Sequence, residues 1–95
     1  MFKYSYEEVQ EAVELFGLIG LETKNDIKKK YLLLSKEFHP DKDGGSTQKF
    51  QEITNANNIL MEYADSYKFR FTKEEFKNQH PFSKIGNNDA IYRGD

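Results

Sequence analysis

The 95-residue sequence contains no cysteine, which excludes disulfide bonds and thiolate metal sites. It also lacks an apolar run near the ~20 residues that a membrane-spanning helix needs. Residues 1–5 hold one lysine and no apolar core of signal-peptide length. With 37% hydrophobic and 32% charged residues, we expect one small cytoplasmic domain that binds no membrane.

Helix signals are clear in the first half of the chain. Ser5 and Glu8 form a capping box that predicts a helix start near Tyr6. Apolar residues then recur on one face at Val9, Ala12, Val13 and Phe16. Thr23 with Asp26 signals a second helix that runs to His39, because Pro40 cannot continue it. Its apolar stripe is Ile27, Tyr31, Leu34 and Phe38.

A third helix is predicted after the loop, capped by Ser46 or Thr47. Its inner face would hold Phe50, Ile53, Ala56, Asn57 and Leu60, with Phe16, Phe38 and Phe50 in the core. We therefore expect an all-α fold in which helices two and three form an antiparallel hairpin and a short first helix lies across it. This domain would cover residues 1–66.

Residues 67–95 are expected to form a C-terminal extension. Thr72 and Glu75 make another capping box, which predicts a short helix over 73–79 that ends at His80-Pro81. Beyond it, turns or loose chain are indicated by Gly86, Asn87 and Asn88.

The formal net charge of −2 is unevenly distributed along the chain. Residues 1–23 have five glutamates and one lysine, a net of −4, and residues 43–66 come to −3. Between them, residues 24–42 carry six lysines against three acidic residues, a net of +3. This basic segment is either a solvated helix face or a surface for an acidic partner.

The segment KEFHPDKDGG, residues 36–45, places a histidine and an aspartate at the tip between two helices. Catalysis is one interpretation of His39 and Asp41, but no nucleophile or enclosed cleft accompanies them, and Ser46 is better explained as a helix cap. We therefore expect no enzymatic activity.

Calcium binding is another interpretation of the loop. Asp41, Asp43 and Glu52 fall at positions one, three and twelve of a helix-loop-helix calcium site. However, Gly45 at position five has no side-chain oxygen, and Ser46 stands where the turn needs glycine. We therefore expect no metal or other cofactor.

Nucleic acid is a third candidate ligand, because the lysines of helix two could meet phosphates. The chain has only two arginines, Arg70 and Arg93, and its pI is near 5.7. We therefore expect no nucleic-acid partner.

The stretch from Ile27 to Leu60 resembles the J-domain of Hsp40 co-chaperones. It reads IKKKYLLLSKEF, then His39-Pro40-Asp41-Lys42, then a glycine-bearing loop and KFQEITNANNIL. The spacing adds specificity, since Tyr31 precedes His39 by eight residues and an F-x-x-I-x-x-A pattern spans 50–56. The resemblance covers roughly residues 5–64.

The resemblance implies a monomeric co-chaperone that docks on ATP-bound Hsp70 of the DnaK type and stimulates its ATP hydrolysis. The implied Hsp70-binding residues are His39, Pro40, Asp41, Lys28, Lys29, Tyr31, Leu32, Lys36 and Lys42. Asp41 would pair with an arginine of the Hsp70 nucleotide-binding domain. An adaptor that binds another protein through its tail, with a J-like scaffold, stays open as the alternative.

The sequence also departs from this family. Many J-domains are basic at the positions of Leu32 and Leu33, and their basic fourth helix is replaced here by SYKFRF. Docking would then be less electrostatic, or these leucines would pack under residues 66–82. Because no glycine/phenylalanine-rich linker, zinc-binding region or client-binding domain follows within these 95 residues, we expect a stand-alone J-domain with a short extension.

Overall fold

A computed structural model describes residues 2–83 of the chain. Within this range the protein has four helices and no strand: α1 (Tyr6–Phe16), α2 (Lys24–Glu37), α3 (Thr47–Asp65) and α4 (Lys73–Gln79). The prediction of an all-α fold is confirmed. The turns predicted at Gly86, Asn87 and Asn88 lie outside the described residues.

Each helix begins at a hydroxyl-bearing N-cap, whose side-chain oxygen accepts the backbone N–H three residues later at 3.1 Å. The caps are Ser5, Thr23, Ser46 and Thr72. Reciprocal capping boxes form at Ser5 and Thr23. The box predicted at Thr72 is only half formed, because the Glu75 carboxylate accepts instead from Gln79 Nε2 at 3.2 Å.

The ends of α1 and α2 follow from backbone restrictions. α1 ends at Phe16 with Gly17 as its cap, whose φ of 65° is left-handed, a conformation that glycine adopts without strain. α2 ends at Glu37 with Phe38 as its cap, short of the predicted end at His39. Pro40 disfavours helical geometry at the residue before it, so the last turn stops early.

The core lies around α3, which packs against both α1 and α2, whereas α1 and α2 contact each other little. Phe16 and Ile53 are fully buried at its centre. The remaining buried residues are Val9, Ala12, Ile27, Ala56, Ile59 and Leu60. Two of the three predicted core aromatics are more peripheral: Phe38 packs half-buried against the core, and Phe50 is half-buried beside His39.

Three contacts show that α2 and α3 run antiparallel, as predicted. Lys24 Nζ at the start of α2 lies 2.6 Å from Asp65 Oδ1 at the end of α3. Mid-helix, the Tyr31 hydroxyl lies 3.4 Å from Thr54 Oγ1. At the loop, Ser46 N donates to the Phe38 carbonyl at 3.3 Å.

α4 occupies the predicted residues but stands apart from the bundle. It packs against none of the other three helices, and none of its residues is buried. Among the described residues, no helix has the length and apolarity to cross a membrane.

Candidate functional site

The loop between α2 and α3 is closed by backbone hydrogen bonds. Lys42 N donates to the His39 carbonyl at 3.0 Å, and Gly45 N donates to the Lys42 carbonyl at 2.8 Å. The bond from Ser46 N to the Phe38 carbonyl then ties the two ends of the loop together. Two successive turns therefore hold residues 39–45 between the helices.

The two glycines of the loop have different roles. Gly44 has a φ of 81°, where a side chain would strain the backbone, although the space around it is open. Gly45 is needed for space, because a Cβ there would overlap the carbonyl oxygen of His39. The role of Gly45 was not predicted from the sequence, where the adjacent Gly-Gly pair was the available signal.

The His39 side chain is half exposed and anchored on both sides. Its Nδ1 accepts the backbone N–H of Asp41 at 3.1 Å, which leaves Nε2 to carry the proton of the neutral ring. The ring also packs edge-on to Phe50, with 5.5 Å between centroids. Phe50 thus supports the loop through a contact that the sequence did not predict.

Asp41 presents an unpaired carboxylate. Its side chain is 94% exposed, and the Nδ1 atom of neighbouring His39 lies 3.9 Å from Asp41 Oδ2. That distance is too long for a hydrogen bond. Within residues 2–83 the carboxylate accepts no hydrogen bond, so its oxygens are available to a partner.

The outer face of α2 combines lysines with leucines. Lys28, Leu32 and Lys36 are four residues apart and form one exposed row, with Lys29 and Leu33 beside it. Leu32 is 57% exposed and Leu33 65% exposed, so the alternative that residues 66–82 cover them is wrong.

Two further predicted site residues lie elsewhere. Lys42 is exposed in the loop and directly follows Asp41 in the sequence. Tyr31 is half-buried and packs against the core, with its hydroxyl near Thr54. Tyr31 therefore belongs to the α2–α3 contact as much as to the surface.

A perturbed carboxyl group lies at the first turn of α2. The backbone N–H of Thr23, and then its side chain, hydrogen-bond to Asp26 and hold the pKa of that carboxyl below its usual 3.8. Nearby Lys29 adds a smaller lowering of the same pKa. The shift reflects helix capping and does not indicate a catalytic group.

The residues of the calcium interpretation do not converge. No group of three metal-ligating side chains comes together in the described part of the chain. Glu52 lies on α3, where its carboxylate accepts from Gln48 Nε2 at 3.5 Å. In the described residues Asp41, Asp43 and Glu52 therefore do not form a shared site.

The family model described as the DnaJ domain matches residues 14–68, which include α2, the loop and all of α3. The chain belongs to the DnaJ-domain family. The resemblance to J-domains is thereby confirmed.

Curated relatives of this J-domain carry the name Chaperone protein DnaJ. The Lysinibacillus sphaericus (strain C3-41) protein is 37% identical over 81 residues, which cover 83% of this chain and 21% of the relative. The Mycoplasma mobile protein is 45% identical over 49 residues, or 50% of this chain and 13% of the relative. The chain therefore spans about a fifth or less of the length of these relatives. No solved structure matches it significantly.

Proposed function

We propose that this J-domain is a co-chaperone that docks on ATP-bound Hsp70 of the DnaK type and stimulates its ATP hydrolysis. The observation that carries the proposal is the Asp41 carboxylate, 94% exposed at the tip of the loop. An arginine of the partner can engage both oxygens of such a carboxylate through two parallel hydrogen bonds.

The closed loop supports this function energetically. Pro40 restricts the backbone, and the hydrogen bond from Asp41 N to His39 Nδ1 fixes the two polar residues relative to each other. Binding then orders few additional groups, so less conformational entropy is lost on docking.

Helix α2 would supply the second part of the interface. Lys28, Lys29 and Lys36 are exposed along it, and Lys42 extends the basic surface into the loop. An acidic Hsp70 surface would be attracted to this side, which favours encounter and orientation. Leu32 would add apolar contact area at the centre of the same face, and the partly exposed Tyr31 would add more where α2 borders α3.

Neither His39 nor Asp41 performs chemistry on ATP in this proposal. The hydrolytic groups belong to Hsp70, and the J-domain acts by binding. We further propose a cytoplasmic monomer without membrane or nucleic-acid partners, and the acidic pI of about 5.7 with only two arginines supports the lack of a nucleic-acid partner.

The test is single-turnover ATP hydrolysis by the DnaK-type Hsp70 of the same organism, with and without this protein. We expect stimulation by the wild-type chain and none by His39→Gln or Asp41→Asn. Asp43→Asn is the matched control, because Asp43 is an exposed carboxylate two residues away, and it should retain stimulation.

Melting temperatures show whether a variant loses stimulation because it is less stably folded. Substitutions at exposed sites usually change the free energy of unfolding by less than ~0.5 kcal/mol, so Asp41→Asn should melt like the wild type. Failure to stimulate any Hsp70 of that organism, or full stimulation by Asp41→Asn, would refute the proposed function. In that case the adaptor function would be favoured.

A further inference from the structure

Six aromatic rings form a continuous surface at the end of α3 remote from the loop. We call this surface the aromatic band: Phe2, Tyr4, Tyr63, Tyr67, Phe69 and Phe71. The centroid of Phe2 lies 5.6 Å from that of Tyr4 and 5.6 Å from that of Tyr63. The band continues from Tyr63 to Tyr67 at 6.4 Å, to Phe69 at 5.3 Å and to Phe71 at 6.4 Å.

The C-terminal part of the aromatic band is exposed to solvent. Phe2 and Tyr4 pack half-buried against the core, but Phe69 is 68% exposed and Phe71 95% exposed. Isolated exposed apolar residues are common on proteins, whereas a contiguous row of them marks an interaction site.

Residues 67–71 have the side-chain pattern of a strand. They form neither helix nor turn, and their aromatic residues alternate with Lys68 and Arg70. A period of two places the rings on one face and the cations on the other, which agrees with the ring-to-ring contacts. Within residues 2–83, the backbone N–H groups of 68–71 donate no hydrogen bonds.

We propose that residues 67–71 dock as an added strand along the sheet edge of an acidic partner protein. The partner edge would pair with the free backbone groups, an apolar groove would receive Tyr67, Phe69 and Phe71, and carboxylates would face Lys68 and Arg70. This inference goes beyond the Hsp70 function and does not depend on it.

The charges argue against a second copy of this chain as the partner. Antiparallel self-pairing that keeps the rings on one face places Lys68 opposite Arg70, or Lys68 opposite Lys68. Parallel pairing likewise aligns cations with cations. Like charges directly opposite each other destabilise a strand pair, so the complementary edge must be acidic.

A lipid bilayer is also a poor match. The unpaired backbone groups of 68–71 would remain without partners in an apolar phase, where each one is costly. Glu74 and Glu75 in the first turn of α4 offset two of the three cations of residues 67–75, which weakens attraction to an anionic surface.

The position of the strand allows both surfaces to be occupied at once. α3 has 19 residues, which corresponds to a length of about 28 Å. The loop precedes this helix and residues 67–71 follow it. A partner at the aromatic band therefore need not displace Hsp70 from the loop.

The test measures binding of the full chain to fluorescein-labelled synthetic peptides by anisotropy. One peptide alternates glutamate with valine and its charge-reversed counterpart alternates lysine with valine. We expect binding of the glutamate peptide only. Phe69→Ala should weaken it about tenfold, as truncation of a central interface aromatic does. Lys68→Glu/Arg70→Glu should reverse the preference between the two peptides.

Phe82→Ala is the matched control, because Phe82 is 99% exposed but lies outside the aromatic band. It should bind the glutamate peptide like the wild type. Hsp70 stimulation should be unchanged in Phe69→Ala and in the charge-reversed variant, which separates this proposal from the proposed function.

Hydrogen exchange tests the strand geometry itself. The backbone amides of 68–71 should exchange rapidly in the free protein and slowly with the glutamate peptide bound. Several outcomes would overturn the proposal: slow exchange in the free protein, equal binding of both peptides, or equal losses in Phe69→Ala and Phe82→Ala. Self-association in sedimentation, or tighter binding to phosphatidylglycerol vesicles or oligothymidine, would likewise overturn it.

Discussion

At the scale of single residues, Gly45 controls how closely the loop can fold against the end of α2. Its N–H donates to the Lys42 carbonyl at 2.8 Å, and no Cβ fits beside the His39 carbonyl. We predict that Gly45→Ala displaces His39 and lowers Hsp70 stimulation together with stability. Single-turnover ATP hydrolysis and urea denaturation would measure the two effects.

Gly44→Ala is the control for that variant. Its left-handed backbone should make alanine unfavourable by about 1–2 kcal/mol, but the open space around it leaves His39 in place. Stability should therefore fall while stimulation is kept. Full stimulation by Gly45→Ala would contradict the role assigned to this glycine.

A second prediction concerns acid sensitivity at Asp26. Because its folded-state pKa is lowered below 3.8, the carboxylate contributes stability above its unfolded-state pKa. That stability is lost as the pH falls through the lower, folded-state pKa. Melting temperatures between about pH 7 and pH 2 should therefore fall less steeply in Asp26→Asn than in the wild type. Asp43→Asn is the control, because it removes a carboxylate that caps no helix. Parallel curves of melting temperature against pH for the wild type and Asp26→Asn would refute the prediction.

Residue-scale features differed in how far the sequence could predict them. Capping at Ser5 and Thr23 was predictable because donor and acceptor are three residues apart. The contact of His39 with Phe50 was not, since it depends on how the intervening loop closes. The exposure of Leu32 and Leu33 also required the structure, because two arrangements of the tail were compatible with the sequence.

At the scale of the helices, local sequence signals predicted well where the helices begin, but not which helix lies at the centre of the core. Apolar stripes and caps located the starts of α1, α2 and α3, and the ends of α1 and α2, to within two residues, whereas no end was predicted for α3. An apolar stripe shows that a helix has a buried face, but not how many neighbouring helices pack against that face. The central position of α3 between α1 and α2 was therefore visible only in the structure.

The exposed face of α2 leads to a prediction about salt. Surface ion pairs contribute only about 0–1 kcal/mol each and weaken with ionic strength. Leu32, if buried on docking, would add roughly 1–2 kcal/mol that salt does not screen. Hsp70 stimulation should therefore depend less on salt than it does for a J-domain whose second helix is fully basic.

Substitutions on α2 would separate the two contributions. Charge removal at Lys28 and Lys29 should weaken docking modestly, and Leu32→Ala should weaken it at least as much. Titrations of Hsp70 stimulation at low and high salt would measure this. A salt dependence as steep as that of the basic J-domain, with no effect of Leu32→Ala, would show that the leucines play no part.

At the scale of the whole molecule, α4 should be dispensable for folding. Because it packs against no other described helix, truncation after Phe71 should leave the melting temperature nearly unchanged. Thermal unfolding followed by circular dichroism would measure this. A lowered melting temperature, with new binding of a hydrophobic dye, would instead show that residues 72–95 cover apolar surface.

The central position of α3 also bears on how the protein is made. α1 and α2 leave the ribosome before α3, but with 11 and 14 residues they are marginal as isolated helices. They contact each other little, and half of the buried residues, Ile53, Ala56, Ile59 and Leu60, belong to α3. The nascent chain therefore has no core to fold around until α3 emerges. Folding then follows in one late step, after α1 and α2 have already been exposed to the cell without their packing partner.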